Sequence, residues 1–378
     1  MNKKTVKLNF ENYANDKAKK VFFYKIALIG PSRVGKTSIV AALLEEAKEA
    51  LAQTGVSIAP FINEDRTSPT KERIRNTILD IEAGLDFSNF QPTGMGTADP
   101  FIFDLVMSLA RKKEKNASQL RFAILDYPGG WLTEPPPRGQ DTWKKCEKWV
   151  EDSSVIIIPI DANLIMEADN EHRAKASREL LQVLEVETLV RKWAIARREK
   201  ADSGLVLFVP VKCETYFDDN GGNYDYSDKL YKRIEVFYRC AIKAVELELS
   251  EKKSLSIKKS KSPTYKIEYH PIDTIGCIEL EDAVWKNTDG KLSLKCEYLV
   301  RNISNSSPVR KPLGTIGLLN SICKQIVENR QDSNLFTRFW DWLNDNDLLL
   351  NNAISKLCKQ LPNSRFKQIA NGNIAKKG

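Results

Sequence analysis

Residues 21–44 read VFFYKIALIGPSRVGKTSIVAALL. The segment 21–29 is a nearly continuous apolar run, the pattern of a strand covered on both faces. It stops at Gly30. From Lys36 to about Ala52 the apolar residues recur at helical spacing: Ile39, Val40, Leu43, Leu44, Ala47 and Leu51. Between strand and helix, GPSRVGKT (30–37) is a full match to G-x-x-x-x-G-K-[ST]. Each part of that pattern has a physical task. The glycines let the backbone curl so that successive N–H groups face a phosphate, Lys36 reaches the β/γ oxygens, and the Thr37 hydroxyl ligates Mg²⁺. Gly30, Pro31, Ser32, Arg33, Val34, Gly35, Lys36, Thr37 and Ser38 are therefore the candidate nucleotide-binding residues at this loop.

Outward from this unit the chain alternates strands and helices. FIFDLVMSL (101–109) and QLRFAILDY (119–127) are two strands joined by so short a polar link that they must pair antiparallel. SVIIIPID (154–161) is the next strand and is followed by a helical stretch through Arg198. GLVLFVPVK (204–212), a helix from Lys229 to Leu249, TYKIEYHPIDTI (264–275) and a helix from Gly314 to Asn329 complete the series. Such repetition predicts an α/β fold, a doubly wound and mostly parallel sheet with one antiparallel strand. The expected organisation is an N-terminal extension (1–20), a main domain (21–330), and a helical C-terminal appendage (331–378) ending in a polar, disordered tail. Two insertions are expected in the main domain. Residues 54–96 read as loop around a short helix, Lys71 to Ala83, and 281–312 as a small β excursion.

Composition narrows the class. Among 378 residues, 42% are hydrophobic and 29% charged, which excludes disorder, collagen-like repeats and a long coiled coil. The net charge of +8 permits phosphate-bearing partners, but nucleic acid is not indicated. The 7 cysteines, at 146, 213, 240, 277, 296, 323 and 358, include no C-x-x-C pair and read as reduced thiols. With His172 and His270 the only histidines, little room is left for a His-based metal centre or a Ser-His-Asp triad. The N-terminus lacks the apolar core of a secretory signal, and no run is long enough to span a bilayer, so a cytoplasmic protein is expected.

After the hairpin comes LDYPGG (125–130), which resembles the D-x-x-G motif of the Ras-like, translation-factor-related (TRAFAC) class of P-loop GTPases. The resemblance implies that Asp126 serves the Mg²⁺ shell and that the Gly129 N–H contacts the γ-phosphate. It also implies a switch I threonine before the antiparallel strand; Thr97 is the candidate, with Thr93 in reserve. Where the family carries N/T-K-x-D for guanine, this chain has VKCE (211–214): Lys212 is kept, Val211 replaces Asn and Glu214 replaces Asp. TIGC (274–277), with Gly276, stands where the family's S-A-K loop meets the base. PIDANLIME, VPVKCETYF and HPIDTIGCIEL look most like the bacterial double-GTPase group of conflict and signalling systems.

The class implies a Mg²⁺-dependent, GTP-binding switch acting through a protein partner or a second copy of itself. The water-orienting Gln of Ras-like proteins is replaced by Gly130, so hydrolysis is expected to be slow. A non-hydrolysing GTP-binding scaffold is the alternative, and a P-loop ATPase a third reading if VKCE does not read guanine. Arg33 resembles the loop arginine of guanylate-binding proteins and atlastins, a cis arginine finger. Its other reading is an exposed arginine paired with a carboxylate. Lys36, Arg33 and Thr97 are the catalytic candidates, and Thr37, Thr97 and Asp126 the metal candidates. Trp131, Trp143 and Trp149 suit either a partner surface or packing of a switch II helix. Trp340 and Trp342 pose the same choice. The basic loop 251–266 reads as a solvated surface and PPPR (135–138) as a rigid spacer.

Overall fold

A computed structural model describes residues 10–13, 21–52, 56–85, 89–90, 99–109, 119–135, 139–200, 202–220, 224–250, 264–301, 309–328 and 365–372. In chain order the elements are β1 (Val21–Leu28), α1 (Lys36–Ala50), β2 (Val56–Pro60), α2 (Pro69–Leu85), β3 (Asn89–Phe90), β4 (Phe101–Leu109) and β5 (Gln119–Asp126). Then follow α3 (Gln140–Asp152), β6 (Val155–Asp161), α4 (Ala162–Met166), α5 (Glu171–Leu180), α6 (Val183–Lys200) and β7 (Gly204–Val211). The last are α7 (Ser227–Phe237), α8 (Arg239–Ser250), β8 (Tyr265–Tyr269), β9 (Ile278–Thr288), β10 (Lys291–Val300), α9 (Thr315–Glu328) and β11 (Lys367–Gly372).

The main sheet has eight strands in the order β11-β8-β7-β6-β1-β5-β4-β2. Strands β5, β1, β6, β7 and β8 run parallel. The expected hairpin is there: β4 pairs antiparallel with β5, with Phe101 opposite Asp126. Along β1 alternate residues serve opposite faces. Phe23 and Ala27 join the cluster of Trp149, Trp193 and Phe208, whereas Tyr24, Ile26 and Leu28 join that of Ile39, Leu43 and Ile322. Both faces are thus covered, α1 packing with α2 and α9 on one side and α3, α6 and α8 packing together on the other. Each large apolar side chain buried this way contributes about 1.5–3 kcal/mol.

Several boundaries differ from the sequence reading. Residues 56–60 are not loop but the edge strand β2, antiparallel to β4. An edge strand covered on one face needs no continuous apolar run, and VSIAP has none. At the other edge Lys367–Gly372, expected as disordered tail, forms β11 antiparallel to β8. The helical stretch after β6 is three helices: Asn170 caps α5, and Gln182, at φ 50°, breaks the chain before α6. The helix expected over 229–249 is two, divided at Tyr238. Strand β8 stops at Tyr269, because Pro271 has no N–H to give; beyond it Ile272 and Asp273 make only isolated bridges. The β excursion is a hairpin, β9–β10, to which β3 adds a short third strand. The 334–361 appendage, with Trp340 and Trp342, lies outside the described residues.

Candidate functional site

Because β1 and β5 are parallel neighbours with Leu28 beside Asp126, the loop leaving β1 and the turn leaving β5 emerge at the same end of the sheet. The loop curls as the motif requires. Gly35, at φ 95°, is the N-cap of α1, and Arg33 also has positive φ, 65°. Lys36 is buried, and its Nζ donates to the carbonyls of Gly30 (2.9 Å) and Pro31 (3.0 Å). It stands 3.8 Å from Asp126 Oδ1. Burial pulls the Lys36 ammonium below its ordinary pKa, and the Asp126 charge pushes back. Thr37 Oγ1 donates to Asp126 Oδ2 at 3.3 Å.

Gly129 closes the site. A Cβ built there would fall 1.9 Å from Ser32 N and 2.1 Å from Pro31 C, so only glycine lets this turn lie on the loop backbone. Asp126 is 1% exposed, and its Oδ1 has no hydrogen-bond partner. A buried carboxylate oxygen with no hydrogen bond, ion-paired to Lys36 and beside a threonine hydroxyl, is a donor set that fits a hard divalent cation such as Mg²⁺. The sequence did not single out Arg73, in the first turns of α2. Its Nη2 lies 3.6 Å from Asp126 Oδ2, and its guanidinium sits 4.5 Å from the Phe101 ring centroid. Two cations therefore face one carboxylate, an electrostatic setting suited to a polyanion.

The motifs at the end of β7 and after β8 also converge. A Cβ on Gly35 would lie 3.5 Å from Val211 Cγ2, which places the end of β7 against the phosphate loop. Lys212, at φ 58°, pairs with Asp161 at the end of β6. Glu214 is buried; its Oε1 accepts from the N–H groups of Ile275 and Gly276, both at 3.1 Å. Burial, and then the charge of Asp273, raise its carboxyl from 4.5 to about 7. Gly276 has φ 81°, and a side chain there would strike Lys311 O at 1.8 Å. Behind this loop, Arg365 bonds Asp273 at Oδ1 and Oδ2 (both 2.9 Å) and Asp219 at Oδ2 (2.8 Å), with Phe217 under its guanidinium.

Thr97 and its reserve Thr93 lie outside the described residues. Ser32 and Arg33 are exposed, and Arg33 makes no ion pair among the described residues. The tryptophans after the D-x-x-G turn pack inward: Trp149 Nε1 donates to Ile26 O at 3.1 Å, and Trp143 meets Tyr127 edge-on. Of the residues missed, Asp161 carried a signal, an acid at the end of a buried strand as at Asp126. Arg73 and Arg365 carried none, since each acts across a tertiary contact.

The sheet, and the loop between β1 and α1, make this a doubly wound α/β fold with a P-loop motif. Neither a scan against protein-family models nor a search of curated proteins finds a match. Among solved structures, the chain is similar to the signal recognition particle receptor SRb-GTP/SRX complex from Chaetomium thermophilum, at 16% identity and TM-score 0.30, over 63% of this chain and 85% of that one. It is also similar to the Ski7 GTPase-like domain of S. cerevisiae bound to GDP and inorganic phosphate, at 11% identity and TM-score 0.32, over 79% and 76%. The GTP-bound form of that domain gives 9% identity and TM-score 0.32, over 81% and 77%. The nucleotides are those proteins' ligands. Among the described residues no helix is long and apolar enough to cross a membrane.

Proposed function

We propose that this protein binds GTP with Mg²⁺ and works as a slow, nucleotide-dependent switch toward a protein partner or a second copy of itself. The observation that carries the proposal is the convergence of Lys36, Thr37, Asp126 and Gly129 at one end of the sheet. Loop N–H groups and Lys36 would hold the β- and γ-phosphates, and Thr37 and Asp126 the metal. Bound there, Mg²⁺ offsets phosphate charge. With Gly130 in place of a water-orienting Gln, the chain offers no side chain at that position to position a nucleophile, so turnover depends on Arg33, Thr97 or a partner. The exposed Arg33 guanidinium is free to fold onto phosphate when a partner presses on the loop.

Guanine choice is assigned to Glu214 and the 274–277 loop. A carboxylate accepting guanine's N1 and N2 hydrogens gains charge-assisted bonds of about 1.5–3 kcal/mol each. The hold that Ile275 and Gly276 have on Glu214 Oε1 favours a second reading, a P-loop ATPase, because that oxygen is already occupied. Titration of fluorescent GTP and ATP analogues against the wild type and Lys36→Ala tests both. GTP should bind about tenfold tighter than ATP, equivalent to about 1.4 kcal/mol, and Lys36→Ala should abolish both affinities while keeping native circular dichroism. Equal binding by the folded variant refutes the phosphate site; a preference for ATP moves the protein to the second reading.

A further inference from the structure

Arg73 has no role in the phosphate-loop motif, yet its guanidinium reaches the carboxylate on which the metal reading depends. Docking of α2 does not require that reach. The helix start is already tied down: Ser68 Oγ donates to Phe61 O (2.5 Å), Asp104 N donates to Thr70 Oγ1 (2.9 Å), and Ile74 is buried. The Arg73 side chain itself is 23% exposed, held over Phe101 and Phe103 with its charged end on Asp126. A guanidinium and a divalent cation cannot both hold one carboxylate side by side without strong like-charge repulsion.

At its other end α2 touches the base side. Ile81 and Leu85 are buried among Ile275 and Cys277 of the TIGC loop and Ile278 and Tyr298 of the β9–β10 hairpin. One helix of about 25 Å therefore joins the Asp126 carboxylate to the second sheet. We propose that Arg73 and the Mg²⁺ of an incoming nucleotide complex take Asp126 by turns, so that metal-bound nucleotide frees Arg73 and α2 reports the exchange to the β9–β10 sheet. The inference rests on the nucleotide reading above. It is a linkage: whatever stabilises Arg73 on Asp126 must weaken the metal complex by the same factor.

The exchange has a signature that a packing role lacks, an effect of opposite sign with and without metal. Arg73→Gln keeps the stem on Phe101 and removes the charge. With Mg²⁺ present it removes a competitor, so GTP should bind tighter, by about threefold or more. In EDTA, Asp126 is left facing the phosphates with less neutralisation, so GTP should bind weaker by a similar factor. Arg73→Lys should recover most of the wild-type difference between the two conditions. Hydrogen exchange gives a second readout: on adding Mg²⁺·GTP, amides of 69–85 and 278–300 should change protection in the wild type and much less in Arg73→Gln.

Affinity shifts of the same sign in both conditions would overturn the exchange and leave Arg73 a packing residue. If Arg73→Gln does not fold, the wild-type exchange experiment decides alone, and unchanged protection over 69–85 overturns the proposal. Absence of any GTP binding by the wild type, in either condition, overturns the nucleotide reading and this inference together. Binding with same-sign shifts overturns only the inference.

Discussion

Gly129→Ala is the sharpest single test of the site's geometry. The added methyl would sit 1.9 Å from Ser32 N, 2.1 Å from Pro31 C and 2.7 Å from Pro31 Cα, all backbone atoms without rotamers to give way. Ordinary contact is about 3.4 Å or more, so relief requires the loop or the turn to move by more than an ångström. Overpacking of this kind costs about 2–3 kcal/mol. Gly130→Ala is the internal control, since nothing lies within 4 Å of its Cβ position. Urea unfolding and GTP titration of the two variants should differ: Gly130→Ala close to wild type in stability, Gly129→Ala destabilised and at least about tenfold weaker for GTP. Wild-type stability and affinity in Gly129→Ala would show that the turn does not rest on the loop.

Three further predictions concern the loop around Glu214. Glu214 ionises near 7 in the fold against 4.5 when free, so between those values the native state holds the extra proton and stability falls as pH rises. Glu214→Gln should therefore gain stability relative to wild type between about pH 5 and pH 8; a constant gap in melting temperature across that range would refute the assignment. If Glu214 reads guanine as proposed, the GTP-to-ATP affinity ratio of the wild type should rise with pH in the same range, as its carboxylate forms. Arg365→Ala strands Asp273, whose side chain is fully buried, and should cost about 3–5 kcal/mol in urea unfolding. A loss below about 1 kcal/mol would mean that the Arg365 pairing does not hold this part of the fold together.

The parts of the fold legible in the sequence are those written in local pattern. The run 21–29 and the spacing of Gly30, Gly35, Lys36 and Thr37 specify strand, loop and helix without help from distant residues. The 101–127 hairpin follows from the shortness of its link, and Asp126 from its place at a strand end. Edge strands β2 and β11 were not legible, because each is short, half-covered, and defined by the neighbour it pairs with. Gln182 and Tyr238 break helices at positions whose residue types forbid nothing. At the site, Lys36, Thr37 and Gly129 are announced by spacing. Arg73 reaches Asp126 only because α2 docks on β4, and Arg365 reaches Asp273 only because β11 closes the sheet. Neither relation has a sequence distance that could have flagged it.

The placement of β11 has a consequence for the order in which the site is made. Chains leave the ribosome from the N-terminus, and early segments fold while later ones are still being synthesised. The phosphate side draws on residues 30–37 and 126–129, whose strands are among the first to emerge. The base side is finished only when Arg365 arrives to neutralise Asp273 and Asp219. Until then two carboxylates crowd the loop that carries Glu214. A nascent chain thus assembles the 30–37 and 126–129 surface well before the loop that carries Glu214 is closed. On the function proposed above, an early encounter with a cellular nucleotide would engage its phosphates alone.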